Sequence, residues 1–284
     1  MSISSLVFLY ERKGDHLLTV LATKASGGTS NGPEGETHSS PQQGLCNQSR
    51  SISHIHALEN VLRPGYKELL ELVMVDTSEG TWIQIGANTM DKENTNDPLK
   101  GYLDRIPGWK KVFVEPVPTL YEKLRNSVRQ WPNSTAINVA ISADETVSED
   151  KVDMFCLKES FDEEAAKRLP HWANQICSFN PDHIPKHFPG KDSVAIPVTA
   201  LSIKELLRRH EIHRMDVVFI DTEGFDYQVL KQLPFERLRP LLVLYEHKHL
   251  DANEKSEAEN LLRRYCYGVW QIDGENTAAL AMYV

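Results

Sequence analysis

Trp82-Ile83-Gln84-Ile85-Gly86-Ala87-Asn88 is a short apolar run that stops at a glycine turn. About thirty residues on, Val112-Phe113-Val114-Glu115-Pro116 is a second run, and it stops at a carboxylate. In an open α/β sheet such runs are buried strands, and ligands lie beyond their carboxyl ends. Glycine at the first strand end lets backbone approach a ligand, and an acid at the second accepts hydrogen bonds from ribose hydroxyls. The pair predicts a sheet that holds an adenosine-type ligand, with Gly86, Asn88 and Glu115 against it.

Working outward, strands alternate with helical patterns, as in βαβ units. Strands are expected at 81–85, 112–115, 135–141, 216–221 and 241–246. A helix after Pro118 carries Val117, Leu120, Tyr121, Leu124 and Val128 at helical spacing. Ser202-Ile203-Lys204-Glu205 reads as a capping box. Further helices are expected at 227–233 and 254–265. Residues 269–272 and 278–284 read as a closing antiparallel hairpin. The stretch 153–198 breaks the rhythm with Trp172, Phe179, His183, His187 and several prolines. An irregular insertion of that length is expected to be a lid or substrate wall.

Three later motifs carry candidate chemistry. Ile220-Asp221-Thr222-Glu223-Gly224 places two acids at a strand end, and strand alternation would point Asp221 and Glu223 the same way. Tyr245-Glu246-His247-Lys248-His249 ends another strand, with Glu246 suited to hold a hydroxyl and His247 or His249 to take a proton. His183 and His187 stand four apart, as helical metal ligands do. Pro181 and Pro185 argue against a regular helix there, and no metal is assigned.

The bulk properties narrow the class. The chain has 284 residues, is 40% hydrophobic and has a formal net charge of −9. That balance excludes a nucleic-acid partner, which needs a basic face. No apolar run is long enough to span a bilayer. Cys46, Cys156, Cys177 and Cys266 show no zinc spacing and are expected as free thiols. The start lacks a good signal peptide, so the expected location is cytoplasmic. Residues 1–54 read as an extension, a linker over 24–53, and 55–284 as the folded domain.

Taken in order, these motifs resemble the FkbM family of S-adenosylmethionine-dependent methyltransferases. The resemblance rests on Ile85-Gly86-Ala87-Asn88, Val114-Glu115-Pro116-Val117-Pro118, Asn138-Val139-Ala140-Ile141-Ser142, Ile220-Asp221-Thr222-Glu223-Gly224-Phe225-Asp226 and Leu244-Tyr245-Glu246-His247-Lys248-His249-Leu250. It covers residues 80–283. It implies a Rossmann-like class I methyltransferase fold, a mainly parallel seven-stranded α/β sheet ending in an antiparallel hairpin. It also implies S-adenosyl-L-methionine as cofactor. Gly86 and Asn88 would meet its methionine part, Glu115 its ribose, Ala140 and Ile141 its adenine, with Asp221 nearby. Gln84 stands where many members have Asp. The loop 89–97 lacks their further glycine, a role that Asp97 would compensate. Asn276 replaces an expected acid.

The expected reaction is O-methylation of a hydroxyl on a sugar or other small molecule, with Glu223, Glu246 and His247 orienting and deprotonating a small-molecule or glycan acceptor. An NAD(P)-dependent oxidoreductase is the alternative. It is disfavoured because G-x-G-x-x-G is absent, as Thr89-Met90-Asp91 supplies no second or third glycine. A non-catalytic cofactor-binding module is the third reading.

Overall fold

The computed structural model describes residues 6–11, 17–22, 64–74, 77–91, 99–170, 172–173 and 176–282. All of the expected linker and all of 92–98, Asp97 included, lie outside the described residues. Near the start, β1 (Leu6–Glu11) and β2 (Leu17–Ala22) pair antiparallel as a separate hairpin.

The central sheet contains β3 (Thr81–Ile85), β4 (Lys110–Val114), β5 (Ser134–Ile137), β9 (Val217–Ile220), β10 (Leu242–Glu246), β11 (Tyr267–Gln271) and β12 (Asn276–Ala281). Their order across the sheet is β11-β12-β10-β9-β3-β4-β5. Strands β5, β4, β3, β9 and β10 run parallel, and β12 joins β10 antiparallel, so the expected closing hairpin is present. This is the Rossmann-like class I methyltransferase arrangement.

Strand alternation sorts the side chains into two layers. Ile83, Ile85, Val112, Val114, Val218, Ile220 and Val243 face one cluster. It is covered by α5 (Ile203–Arg209), α6 (Asp226–Leu230) and α7 (Ala252–Arg264). Trp82, Phe113, Val217, Phe219, Leu242 and Leu244 face the other. There α1 (Tyr66–Met74) brings Leu69, Leu70 and Val73, and α2 (Pro118–Ser127) brings Leu124. Because both faces are covered, β3, β9 and β10 are buried along their whole length and read as continuous apolar runs.

Local signals set the helix ends. Pro118 opens α2 in its first turn. Ser202 caps α5 through the Glu205 N–H, but Glu205 turns to Arg208 and Arg209 instead of closing the expected box. The complete capping box is at Asp251 and Glu254 on α7.

Three expectations are corrected. The strand expected at 135–141 is two strands: β5 stays in the main sheet, and β6 (Ala140–Ile141) pairs with β8 (Ser193–Leu201) in a second sheet. The insertion is regular at its base, where β7 (Asp150–Leu157) runs antiparallel to β8, and irregular only at its tip. The tip carries α3 (Glu163–Ala166) and α4 (His183–His187) around Leu157, Ala173, Ile176 and Ile184. Cys156 and Cys177 are not free thiols but a disulfide that ties β7 to the tip of the insertion, and Cys266 is disulfide-bonded as well. Among the described residues no helix is long and apolar enough to cross a membrane.

Candidate active site

A cavity of about 430 Å³ opens at the carboxyl ends of β4, β3, β9 and β10. Adjacent strands lie about 4.8 Å apart, so from Glu115 after β4 to Glu246 at the end of β10 the floor spans roughly 14 Å. That suits an elongated ligand laid across four strand ends.

Glu115 sits at one end of this floor, 4% exposed. Its Oε2 accepts the Asn88 N–H at 2.9 Å and its Oε1 accepts the Val117 N–H at 2.9 Å. The Asn138 amide donates to the carbonyls of Glu115 and Pro116 and holds the strand end in place. Burial pushes the Glu115 carboxyl up to about 7, against the two backbone donors that favour its charge. Each carboxylate oxygen keeps a second lone pair, the geometry that two ribose hydroxyls satisfy. Val139, Ala140 and Ile141 give an apolar wall beside it. Asn88 lines the same space, but its side-chain oxygen accepts the Thr89 N–H and is already used.

Gly86 is required for a reason that lies inside the protein. Its φ is +81°, and a Cβ there would come 1.7 Å from the Asp221 carbonyl oxygen. Its backbone approaches the neighbouring strand end, a requirement for glycine that adds to the expected approach to a ligand. Gly86 and Asp221 both line the cavity.

The other end is acidic and rich in imidazole. Glu223 reaches the cavity, though not by strand alternation: β9 ends at Ile220, and Glu223 and Gly224 take left-handed φ values of 54° and 95°. Asp226, fully buried, accepts the Thr222 and Gly224 N–H groups, and the Ser178 hydroxyl donates to the Glu223 carbonyl. This turn is therefore held from below and from the insertion. Burial pushes the Asp226 carboxyl up to about 7. Glu246 enters the cavity at 7% exposure, and burial with the charges of Asp221, Glu223 and Asp226 pushes its carboxyl up to about 10.

His247 does not join them. Its Nδ1 meets the Thr277 hydroxyl at 2.9 Å, and it does not line the cavity. Successive residues at a strand end face opposite ways, so Glu246 points in and His247 out. His249 takes the place expected of His247. Its Nε2 is 3.4 Å from Glu223 Oε2 and 3.6 Å from Glu246 Oε1. Burial, then His183 and His187, hold its pKa down to about 3, so it is neutral. The turn after β10 decides this, and no periodicity at 246–249 reveals it.

The expectation that Pro181 and Pro185 argue against a regular helix at 183–187 is also overturned. Pro185 is the third residue of α4, where the missing N–H belongs to the unbonded first turn. His183 and His187 therefore share a helix face, and His183 Nε2 lies 3.3 Å from Glu223 Oε2. The signal was the four-residue spacing itself.

A parallel sheet with a C-terminal antiparallel hairpin, and a carboxylate at the second strand end beside an apolar wall, define a class I methyltransferase. The family model described as the methyltransferase FkbM domain matches residues 84–268, and the chain belongs to that family. Its cofactor is S-adenosylmethionine, and the residues around Glu115 fit the adenosine half. No curated protein sequence matches the chain. Among solved structures, precorrin-6y C5,15-methyltransferase from Geobacter metallireducens is 11% identical, covering 76% of this chain and 86% of its own, with a TM-score of 0.36. Aeropyrum pernix fibrillarin, with natively bound S-adenosyl-L-methionine, is 11% identical over 77% and 75%, with a TM-score of 0.38. Likeness at that level carries no argument about this chain.

Proposed function

We propose that this methyltransferase methylates a hydroxyl oxygen of a sugar or another small molecule. The observation that carries this reading is the pairing, within one cavity, of a ribose-type carboxylate at Glu115 with a buried Glu223–Glu246–His249 cluster at the far end. S-adenosylmethionine, when bound, supplies an electrophilic methyl group on a sulfonium. The chain's task is then to align an acceptor oxygen and to remove its proton. Glu246, protonated near neutral pH by its raised pKa, donates a hydrogen bond to the acceptor. Glu223, fixed by Asp226 and Ser178, takes the acceptor proton as the oxygen–carbon bond forms and the carbon–sulfur bond breaks. His247 supports the strand end through Thr277.

The insertion walls the acceptor side with Trp172 and Phe179, the latter edge-on to Phe225 at 4.9 Å between ring centroids. Aromatic faces suit sugar rings. The cytoplasmic setting was expected for want of a good signal peptide, and the Cys156–Cys177 bond weighs instead toward an oxidising compartment.

The test is release of S-adenosylhomocysteine from labelled cofactor against a panel of monosaccharides and phenols. Glu223→Gln should lower kcat by about 100-fold or more with little change in cofactor affinity. Turnover with a panel member that survives Glu223→Gln unchanged would contradict the assignment, as would methyl transfer only to amines.

A further inference from the structure

We propose that His183, His187 and His249 form a binding site for a divalent transition ion of the zinc type, at the acceptor end of the cavity. Their candidate ligand atoms all lie within 4.8 Å of one another. The ring centroids are 4.5 Å apart for His183 and His187, and 5.0 Å from each of these to His249. Two come from one face of α4 and the third from the turn after β10, so the site joins the insertion to the central sheet.

The polar atoms there come within ion-pair distance of one another, yet several make no hydrogen bond. His183 Nε2, His187 Nε2 and Glu223 Oε2 are all buried and make no hydrogen bond. The His183 side chain is only 6% exposed. Glu223 Oε2 stands 3.3 Å from His183 Nε2 and 3.4 Å from His249 Nε2, yet neither contact has hydrogen-bond alignment with His183 or Glu223. Leaving buried polar atoms unsatisfied is costly, because no partner repays their lost hydration. Two unbonded ring nitrogens and an unbonded carboxylate oxygen that converge beside His249 are what a cation held by the three rings would satisfy. A structural histidine cluster would instead show ring N–H groups donating to neighbouring carbonyls.

The donor set chooses the ion. Imidazole nitrogens favour zinc, iron, copper or nickel, whereas magnesium and calcium favour oxygen. Three protein ligands with a side open to the cavity match a catalytic rather than a structural site. The ion's part in the chemistry rests on the methyl-transfer reading above, although its binding does not. Held there, it polarises the acceptor hydroxyl, whose proton passes to Glu223 while the oxygen takes the methyl group.

The test uses the full-length protein, stripped with a chelator, dialysed against zinc or cobalt and read without cofactor or acceptor. Elemental analysis should give about one zinc per chain, and cobalt should give visible d–d absorption of low symmetry. His187 is half-buried, so His187→Ala should melt in chelator as the wild type does, lose zinc affinity at least about 10-fold and lose the zinc-induced rise in Tm. His249→Ala should do the same, with His249→Gln as the milder variant if it fails to fold. No zinc retained by the wild type, or equal retention by folded His187→Ala, would overturn the proposal. Titration of the stripped protein with S-adenosylmethionine reads the cofactor site separately, so each reading can fail without the other.

Discussion

Gly86 shows what one residue can be asked to do. With φ at +81° and a prospective Cβ 1.7 Å from the Asp221 carbonyl, Gly86→Ala must push the ends of β3 and β9 apart. We expect a loss of about 3 kcal/mol, a fall in Tm of at least about 6 °C by thermal unfolding. An unchanged Tm would show that the strand ends are not packed as described. Glu115 gives a pH signature. Its carboxyl is raised to about 7, so it is neutral below that and charged above. A charged carboxylate accepts from both ribose hydroxyls, so affinity for S-adenosylmethionine should rise through pH 7 and level off. For the free protein the sign is opposite. The stability that neutral Glu115 contributes is full below about 4.5 and lost as pH rises towards 7. Calorimetric titration between pH 5.5 and 8.5, with Glu115→Ala as the flat control, checks the binding trend. Both residues were legible in the sequence because each ends an apolar run. The reason for Gly86 was not, since the carbonyl it must clear comes from 135 residues along the chain. The exchange of His247 for His249 was equally hidden, because it depends on how the chain turns after Glu246.

At the scale of elements, propensity and periodicity located the strands of the central sheet and most of the helices to within about three residues, but not α1, β7 or β8, and capping chemistry set several helix ends. Asp251 and Glu254 satisfy each other's backbone N–H groups at the start of α7. Asp251→Ala should therefore cost about 1 kcal/mol, and Ser202→Ala on the half-formed box of α5 somewhat less. Urea unfolding of the two variants side by side checks the order, and a larger loss at Ser202 would contradict it. Two elements misled the sequence reading, one because long-range strand pairing decides it and one because a proline's place within its helix decides it. Residues 135–141 look like one strand, but Ala140 and Ile141 leave the sheet to pair with Ala200 and Leu201. Pro185 looks like a helix breaker, but a proline in the first turn sacrifices no hydrogen bond.

For the molecule as a whole, the mainly parallel seven-stranded sheet, the closing hairpin and the cofactor class were legible early because five strand-end motifs in a fixed order carry the family resemblance. The insertion was legible as a wall but not as a second sheet, and the bond between Cys156 and Cys177 was not legible at all, since cysteines 21 apart carry no pairing signal. Closing a loop of that length is worth about 3 kcal/mol, so reduced protein, or Cys156→Ala with Cys177→Ala, should melt at lower temperature than the oxidised form. Identical melting would place the bond outside the native state.

The central claim is that S-adenosylmethionine lies across four strand ends with its ribose on Glu115. Calorimetric titration of the wild type and Glu115→Ala with S-adenosylmethionine, S-adenosylhomocysteine and NAD tests it most directly. Binding of both methionine-derived ligands, none of NAD, and a loss of about 10- to 100-fold in Glu115→Ala is the predicted result. Binding of NAD alone, or a Glu115→Ala protein that binds as the wild type does, would contradict it.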